Sequence, residues 1–340
     1  MTSAPVYVSA AGLACPVGMT WACACAAMRA GITRKSSSAY RDNQGREIVA
    51  SSLRDLLSED ALYEERWLFL LTHALRDVTR HRGGPVVLQR MPLFLTLPPA
   101  RGGQAYSAAF ACEALSRTLG LRLSPDNLHL LTGGACGGYL ALDLGRASVR
   151  AGVPCVVAAA DSLLSAWRLL PLAEQDRLIV DGNSDGLIPG EAAAALILSQ
   201  DSRDALAQLC GVGFATEPSL LGNEIPLRAD GLIAAVRAAL SEAGLQLHDL
   251  DFRLSDAAGE SFHFKEQALL VSRLLLERKP DFPLWLPAES LGDTGAAAGL
   301  CSLLWAMAAW QRQYAPGPRA LACAGNEQGA RAAVVFTSVQ

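Results

Sequence analysis

Short apolar runs alternate along the chain with longer stretches in which apolar residues recur every three or four positions, so strands and helices are predicted in turn. Val6-Tyr7-Val8-Ser9 reads as the first strand and leads into a helix near 18–30. A charged, loop-like stretch follows over 34–52, then an amphipathic helix around 61–80. Residues 92–97 predict a strand, 105–119 a helix, Leu128-His129-Leu130-Leu131 a strand, 139–151 a helix and 155–160 a strand. The turn formers of 181–189 precede a further apolar run, 190–198.

The second half repeats the rhythm. Strands are expected at 209–214, 252–255, 283–286, 320–324 and 332–337, with helices at 264–277 and 294–311. Leu232, Ala235, Val236, Ala239, Leu240 and Ala243 fall at i, i+3, i+4, i+7, i+8 and i+11, one face of another helix. Such alternation predicts an α/β protein of parallel sheets with helices on both faces. Two similarly patterned halves, 1–200 and 201–340, imply a duplicated α/β unit, although no internal repeat is detectable in the sequence.

Composition sharpens this picture. The 340 residues are 51% hydrophobic and 18% charged, with a mean hydropathy of +0.23, richer in apolar residues than an ordinary domain. A large sheet buried under apolar helices is expected. A net charge of -4 and the lack of any basic stripe give no case for nucleic acid or an anionic membrane. The longest apolar run, 295–310, is too short to span a membrane and predicts a buried helix. No basic residue precedes Arg29, so no secretory leader is expected. The nine cysteines are odd in number and include no C-x-x-C pair. Neither a disulfide framework nor a zinc site is expected, no cofactor is implied, and a reducing cytoplasm is the expected compartment.

One stretch carries candidate chemistry. In Thr132-Gly133-Gly134-Ala135-Cys136-Gly137-Gly138-Tyr139 a lone cysteine stands between glycine pairs, where an apolar strand gives way to a helix. Glycines permit a sharp turn and close backbone approach, and the free N–H groups of a helix N-terminus favour thiolate over thiol. The same residues suit a small buried cysteine in a tight strand-to-helix turn.

With that turn, five other ordered segments resemble the β-ketoacyl synthases of the thiolase-like superfamily, over most of the chain. Residues 6–18 look like the family's opening strand and turn, V-x-I-T-G-x-G-x-x-S-P-x-G. Gly134-Ala135-Cys136-Gly137-Gly138 matches its nucleophile turn, and Val149-Arg150-Ala151-Gly152 the end of the helix that follows. Residues 155–161 resemble its V-V-L-A-G-G-A-D strand, 185–194 its D-G-x-x-x-G-E-G-A-A segment, and 292–300 its G-H-T-x-A-A-A-G. The resemblance implies a thiolase-like fold, two duplicated α/β halves in a five-layered α-β-α-β-α sandwich, the second half shortened. It also implies a dimer in which the strand at 155–160 pairs across the axis. The family's chemistry is acyl transfer to the cysteine, decarboxylation of a malonyl thioester and Claisen condensation, assisted by two histidines and a lysine.

At those assisting positions the chain departs from the pattern. Ala258 aligns with the first histidine, Asp293 with the second, and Ala288 with the lysine. Gly325-Asn326-Glu327-Gln328-Gly329 replaces the family's G-F-G-G-T loop. Losing one donor to a developing oxyanion typically costs about 3–4 kcal/mol. An ionised Asp293 would repel that charge and raise the thiol pKa. As a structural residue, Asp293 stands where a helix N-cap is expected, before Thr294-Gly295-Ala296. Of the five histidines only His263 falls near the expected site. A Cys136–His263 pair would support acyl transfer or thioester hydrolysis; otherwise His263 is a loop residue in the aromatic cluster Phe262-His263-Phe264. Glu191 and Glu266 read as structural, and 42–47 as a solvated loop.

These readings lead to a catalytically impaired, ketosynthase-like accessory protein that acts by dimerisation and protein contact. The resemblance extends to accessory proteins of type VI secretion effector delivery, which implies an adaptor role. The alternatives are a cysteine acyltransferase, thioesterase or 3-oxoacyl-carrier-protein synthase using Cys136, or an acyl-chain-binding module. The expected partners are a second subunit, identical or related, a secretion or carrier protein, and an acyl thioester.

Overall fold

A computed structural model describes residues 4–339. The first half runs β1 (Val6–Ala14), α1 (Trp21–Arg29), β2 (Lys35–Arg41), β3 (Glu47–Ser51), α2 (Tyr63–Thr79), β4 (Leu93–Thr96), α3 (Ala108–Leu119), β5 (Leu128–Leu131), α4 (Gly137–Arg150), β6 (Cys155–Ser162), α5 (Ala166–Glu174) and β7 (Glu191–Ser199). The second runs β8 (Ala207–Thr216), α6 (Asp230–Ala243), β9 (Phe252–Ser255), α7 (Ser261–Leu274), β10 (Leu284–Trp285), α8 (Ala288–Leu291), α9 (Ala298–Gln311), β11 (Arg319–Gly325) and β12 (Ala330–Ser338).

The duplication is visible in strand order. The first half gives β5-β4-β6-β7-β1 and the second β10-β9-β11-β12-β8, with parallel and antiparallel pairings in the same places. A short antiparallel contact of β1 with β8, from Val6 opposite Leu209 to Val8 opposite Ala207, joins the two sheets into one hydrogen-bonded ladder. The sheets are therefore mixed, not purely parallel. The long connection from β6 to β7 carries α5 yet brings the chain back at the same end of the sheet, so β7 runs antiparallel to β6.

Alternation of side chains assigns the layers. On β6, Val156, Ala158 and Ala160 pack in the core under α2 and α3, while Val157 and Ala159 face the opposite core. On β11, Leu321 and Cys323 pack with α6, and Ala320, Ala322 and Ala324 face inward to that same second core. Leu142 of α4 and Leu300, Leu304 and Met307 of α9 fill it. The order is helices, sheet, central helices, sheet, helices: the five-layered α-β-α-β-α sandwich. Burial on both faces explains why β6 and β7 read as unbroken apolar runs and why α9 is buried almost throughout. The helix stripe beginning at Leu232 becomes the buried face of α6.

Local chemistry sets many boundaries. Ser107 Oγ accepts the Phe110 N–H at 3.1 Å and starts α3, which ends at Gly120 with φ +69°. The stretch 34–52, expected to be a loop, is instead the hairpin of β2 and β3, with Asp42 and Arg46 paired in its turn. The serines of β2 gave no apolar alternation; backbone pairing and the burial of Ile48 of β3 against Leu163 and Leu172 hold it in place. Helix α5 was likewise unforeseen. The strand β6 is flanked on both sides, by β4 and β7, so it has no free edge for a partner. The terminal strand of the first half is β5.

Candidate functional site

The two central helices begin on the same backbone device. Gly134–Cys136 and Gly295–Ala297 each form a single 3-10 turn that runs straight into a helix. Gly134 enters at φ +56° and Gly295 at φ +53°, values that a side chain would strain. Cys136 thus occupies the place that Ala297 holds in the second half. The turns press together: a Cβ on Gly299 would lie 2.8 Å from the Ala135 carbonyl oxygen.

At this crossing Cys136 is buried. Its Sγ lies 3.3 Å from the carbonyl oxygens of both Ala324 and Ala330, which flank the loop between β11 and β12. Asn326 fixes that loop on the cysteine turn. Its Nδ2 donates to Gly133 O at 3.2 Å, and its Oδ1 accepts the Ala330 N–H at 2.8 Å. Burial pushes the Cys136 thiol far above its ordinary range; Asp256 and Glu266 add to this, and Arg331 only partly opposes it. The helix N-terminus was expected to favour thiolate. Desolvation wins, and the sulfur is held as a thiol donating to a carbonyl.

The carboxylates that bear on Cys136 are Asp256 and, less, Glu266, not Asp293. Asp256 follows β9 and accepts the Gly325 N–H at 2.8 Å, so it also anchors the sealing loop. Asp293 instead lies just before the second turn, its Oδ1 accepting the Gly295 N–H at 2.8 Å. The N-cap place expected for it falls to Thr294, and Asp293 stands one residue earlier, bonding across two residues to the start of the turn. Burial, opposed by that hydrogen bond and helped by Asp256, Glu260 and Asp161, pushes its carboxyl up to about 6. Ala258 is half-buried and packs against the cluster that contains Leu178 and Leu187, and Ala288 opens α8.

His263 is not a loop residue: it lies in the first turn of α7. Its Nε2 is 3.5 Å from Glu260 Oε2. Burial disfavours its charge, but the Glu260 hydrogen bond and the nearby Asp256 raise its pKa overall. Among the described residues the hydrogen bonds of Cys136 go to backbone carbonyls and not to this imidazole. A cavity of about 10 Å³ beside Asp256, His263, Glu266 and Arg331 has room for about one water.

Ion pairs lock the surroundings, and these the sequence reading missed. Arg177 grips Glu260 through Nε at 2.7 Å and Nη2 at 3.0 Å, and reaches Glu327 of the sealing loop at 2.5 Å. Arg331 pairs with Glu266 at 2.7 Å, and Arg66 with the fully buried Glu191 at 3.2 Å. The structural reading of Glu191 and Glu266 fits these contacts. An arginine inside the apolar run of β12 was the one signal that pointed to a buried pair. No group of three or more metal-ligating side chains is found among the described residues, and none of their helices is long and apolar enough to cross a membrane.

No family model matches the chain. Among curated proteins it is similar to the actinorhodin polyketide beta-ketoacyl synthase 2 of Streptomyces coelicolor, 27% identical over 50% of this chain and 45% of that protein. It is also similar to an acetyl-CoA acetyltransferase of Chromobacterium violaceum, 31% identical over 52% of this chain and 43% of that protein. The chain therefore spans less than half the length of these relatives. Among solved structures it resembles a type II polyketide synthase ketosynthase in complex with its acyl-carrier protein, with TM-score 0.82 and 13% identity over 99% of this chain and 100% of that one. The ishigamide ketosynthase/chain length factor gives TM-score 0.79 and 16% identity over 99% and 100%. At such identities the structures establish the fold, which is ketosynthase/thiolase-like.

Proposed function

We propose that this chain is a ketosynthase-like accessory protein that works through dimerisation and protein contact, without catalysing condensation. The observation that carries this reading is the state of Cys136. Its thiol is buried, bonded to backbone carbonyls, pushed away from ionisation and covered by the loop that Asn326 fastens down. Ala258 and Asp293, at the positions aligned with the family's histidines, supply no imidazole to polarise a thioester. A half-buried carboxyl such as Asp293 would oppose an oxyanion whenever ionised.

The partner surface we propose is the edge of β5. Its outer side has no paired strand among the described residues, and the helices beside it expose Phe110, Leu140 and Leu144. An open edge flanked by apolar side chains favours a partner. Structural neighbours recorded as a ketosynthase with its chain length factor or with its acyl-carrier protein make a related subunit or a carrier protein the natural candidates. An adaptor role in type VI secretion effector delivery is a narrower form of this reading, resting on the resemblance of the opening segment and the altered loops. Pull-down from the native host tests it.

Intact-mass analysis after incubation with acyl- and malonyl-thioesters decides the catalytic question. We expect no Cys136-dependent adduct and no turnover. Rapid acylation with turnover, lost in Cys136→Ala, would instead establish a cysteine acyltransferase or thioesterase.

A further inference from the structure

A second hollow lies on another part of the molecule, where α1 runs beside the C-terminal end of α9. Its volume is about 380 Å³, and it shares no lining residue with the small cavity near Cys136. That is within the roughly 300–1,000 Å³ of small-molecule sites. Trp21 and Cys25 of α1, Ala308 of α9 and Tyr314 form its walls. The Trp21 indole is fixed by donating to Leu304 O at 2.9 Å.

Two cations complete it. Arg29, in the last turn of α1, and Arg312, just past α9, both line the hollow. The Arg29 guanidinium is held 4.3 Å from the centre of the Tyr314 ring. No carboxylate lines the hollow, and among the described residues neither guanidinium is in a salt bridge. Cations at helix C-termini complement the helix dipole, which accounts for an arginine at each end. It does not account for both of them lining one apolar groove that has no carboxylate in its walls.

We propose that this groove binds an amphipathic anion, its acyl or aromatic body against Trp21, Ala308 and Tyr314 and its carboxylate or phosphate between Arg29 and Arg312. Planar guanidinium groups suit both headgroups. The site is independent of the cysteine and of the partner edge.

Isothermal titration of the full chain with decanoate, decyl phosphate and decanol tests this. One-to-one binding of at least one anion is expected below about 1 mM, with decanol weaker by about tenfold or more. The better anion identifies the headgroup. Arg29→Gln with Arg312→Gln should weaken the anion by about tenfold or more, and Ala26→Trp, which fills the groove from an exposed position, should abolish binding. Cys136→Ala should bind as wild type does. Circular dichroism confirms that the surface variants fold. The proposal is overturned by absence of saturable anion binding, by decanol binding as tightly, or by the double arginine variant binding as well as wild type.

Discussion

Asp293→Asn should make the protein more stable at neutral pH, although it removes the charge of a side chain that accepts a backbone N–H at a helix start. The carboxyl stands at about 6 in the folded chain against an ordinary 3.8, chiefly because it is buried and also because Asp256, Glu260 and Asp161 are near. At 1.36 kcal/mol per pH unit this difference amounts to about 3 kcal/mol. The folded state binds the proton more tightly than the unfolded chain. Below about pH 4 both states carry it and the group contributes nothing. As pH rises from about 4 to 6 the unfolded chain ionises first, and folding stability falls by that amount. Asparagine carries no charge and keeps an oxygen to accept the Gly295 N–H. Urea unfolding of both proteins between pH 3.5 and 8 should therefore show Asp293→Asn more stable above pH 6, by about 1–3 kcal/mol after the cost of seating the amide. The advantage should vanish near pH 4. A variant less stable than wild type at pH 7.5, or a difference that does not change with pH, refutes the reasoning.

Iodoacetamide at pH 8 should label the exposed Cys23 readily and Cys136 only on unfolding, whereas Asn326→Gly should speed labelling of Cys136; peptide mapping by mass spectrometry reads both sites. Arg177→Ala strips Glu260 of its bidentate partner and should destabilise the fold by about 3–5 kcal/mol in urea titrations, as expected when one member of a buried pair is removed. Burial raises the Glu260 carboxyl, but hydrogen bonds from His263 and Arg177 outweigh it and hold the group down at about 2. Its contribution is thus present above an ordinary carboxylate pKa and lost as pH falls from about 4.5 towards 2. Acid titration of wild type should show that loss, and Arg177→Ala much less of it.

The fold was legible because its signals are local. The stripe on α6 and the apolar runs of β6 and β7 announce buried elements through spacing alone. The state of Cys136 was not legible, since its hydrogen-bond partners lie 188 and 194 residues away in the chain. Nothing in the spacing around residue 136 tells that Ala324 and Ala330 will point their carbonyls at the sulfur. The hairpin at β2 and β3 escaped notice because β2 is polar and β3, though its Ile48 and Ala50 are buried, is too short to show a hydrophobic period. The relation between the turns at Cys136 and Ala297 escaped notice too, because five short residues are too few for a repeat until the strand orders place them together.

That relation bears on why the glycine-flanked motif is present at all. A 3-10 turn entering a buried helix requires a residue at positive φ and small residues where the two turns cross, with or without a cysteine. Gly138 must clear Leu300, and Gly299 must clear the Ala135 carbonyl and Tyr139. The second half meets the same demands around Ala297, so packing alone maintains the motif. Cys136→Ala should then cost little, about 1 kcal/mol for one buried sulfur with a weak donor. Gly299→Ala, whose methyl would sit 2.8 Å from a backbone oxygen, should cost about 1–3 kcal/mol by forcing the helices apart. Denaturant titration of the two variants side by side measures the ranking. If Cys136→Ala proved the more damaging, the sulfur itself would be what the turn is kept for.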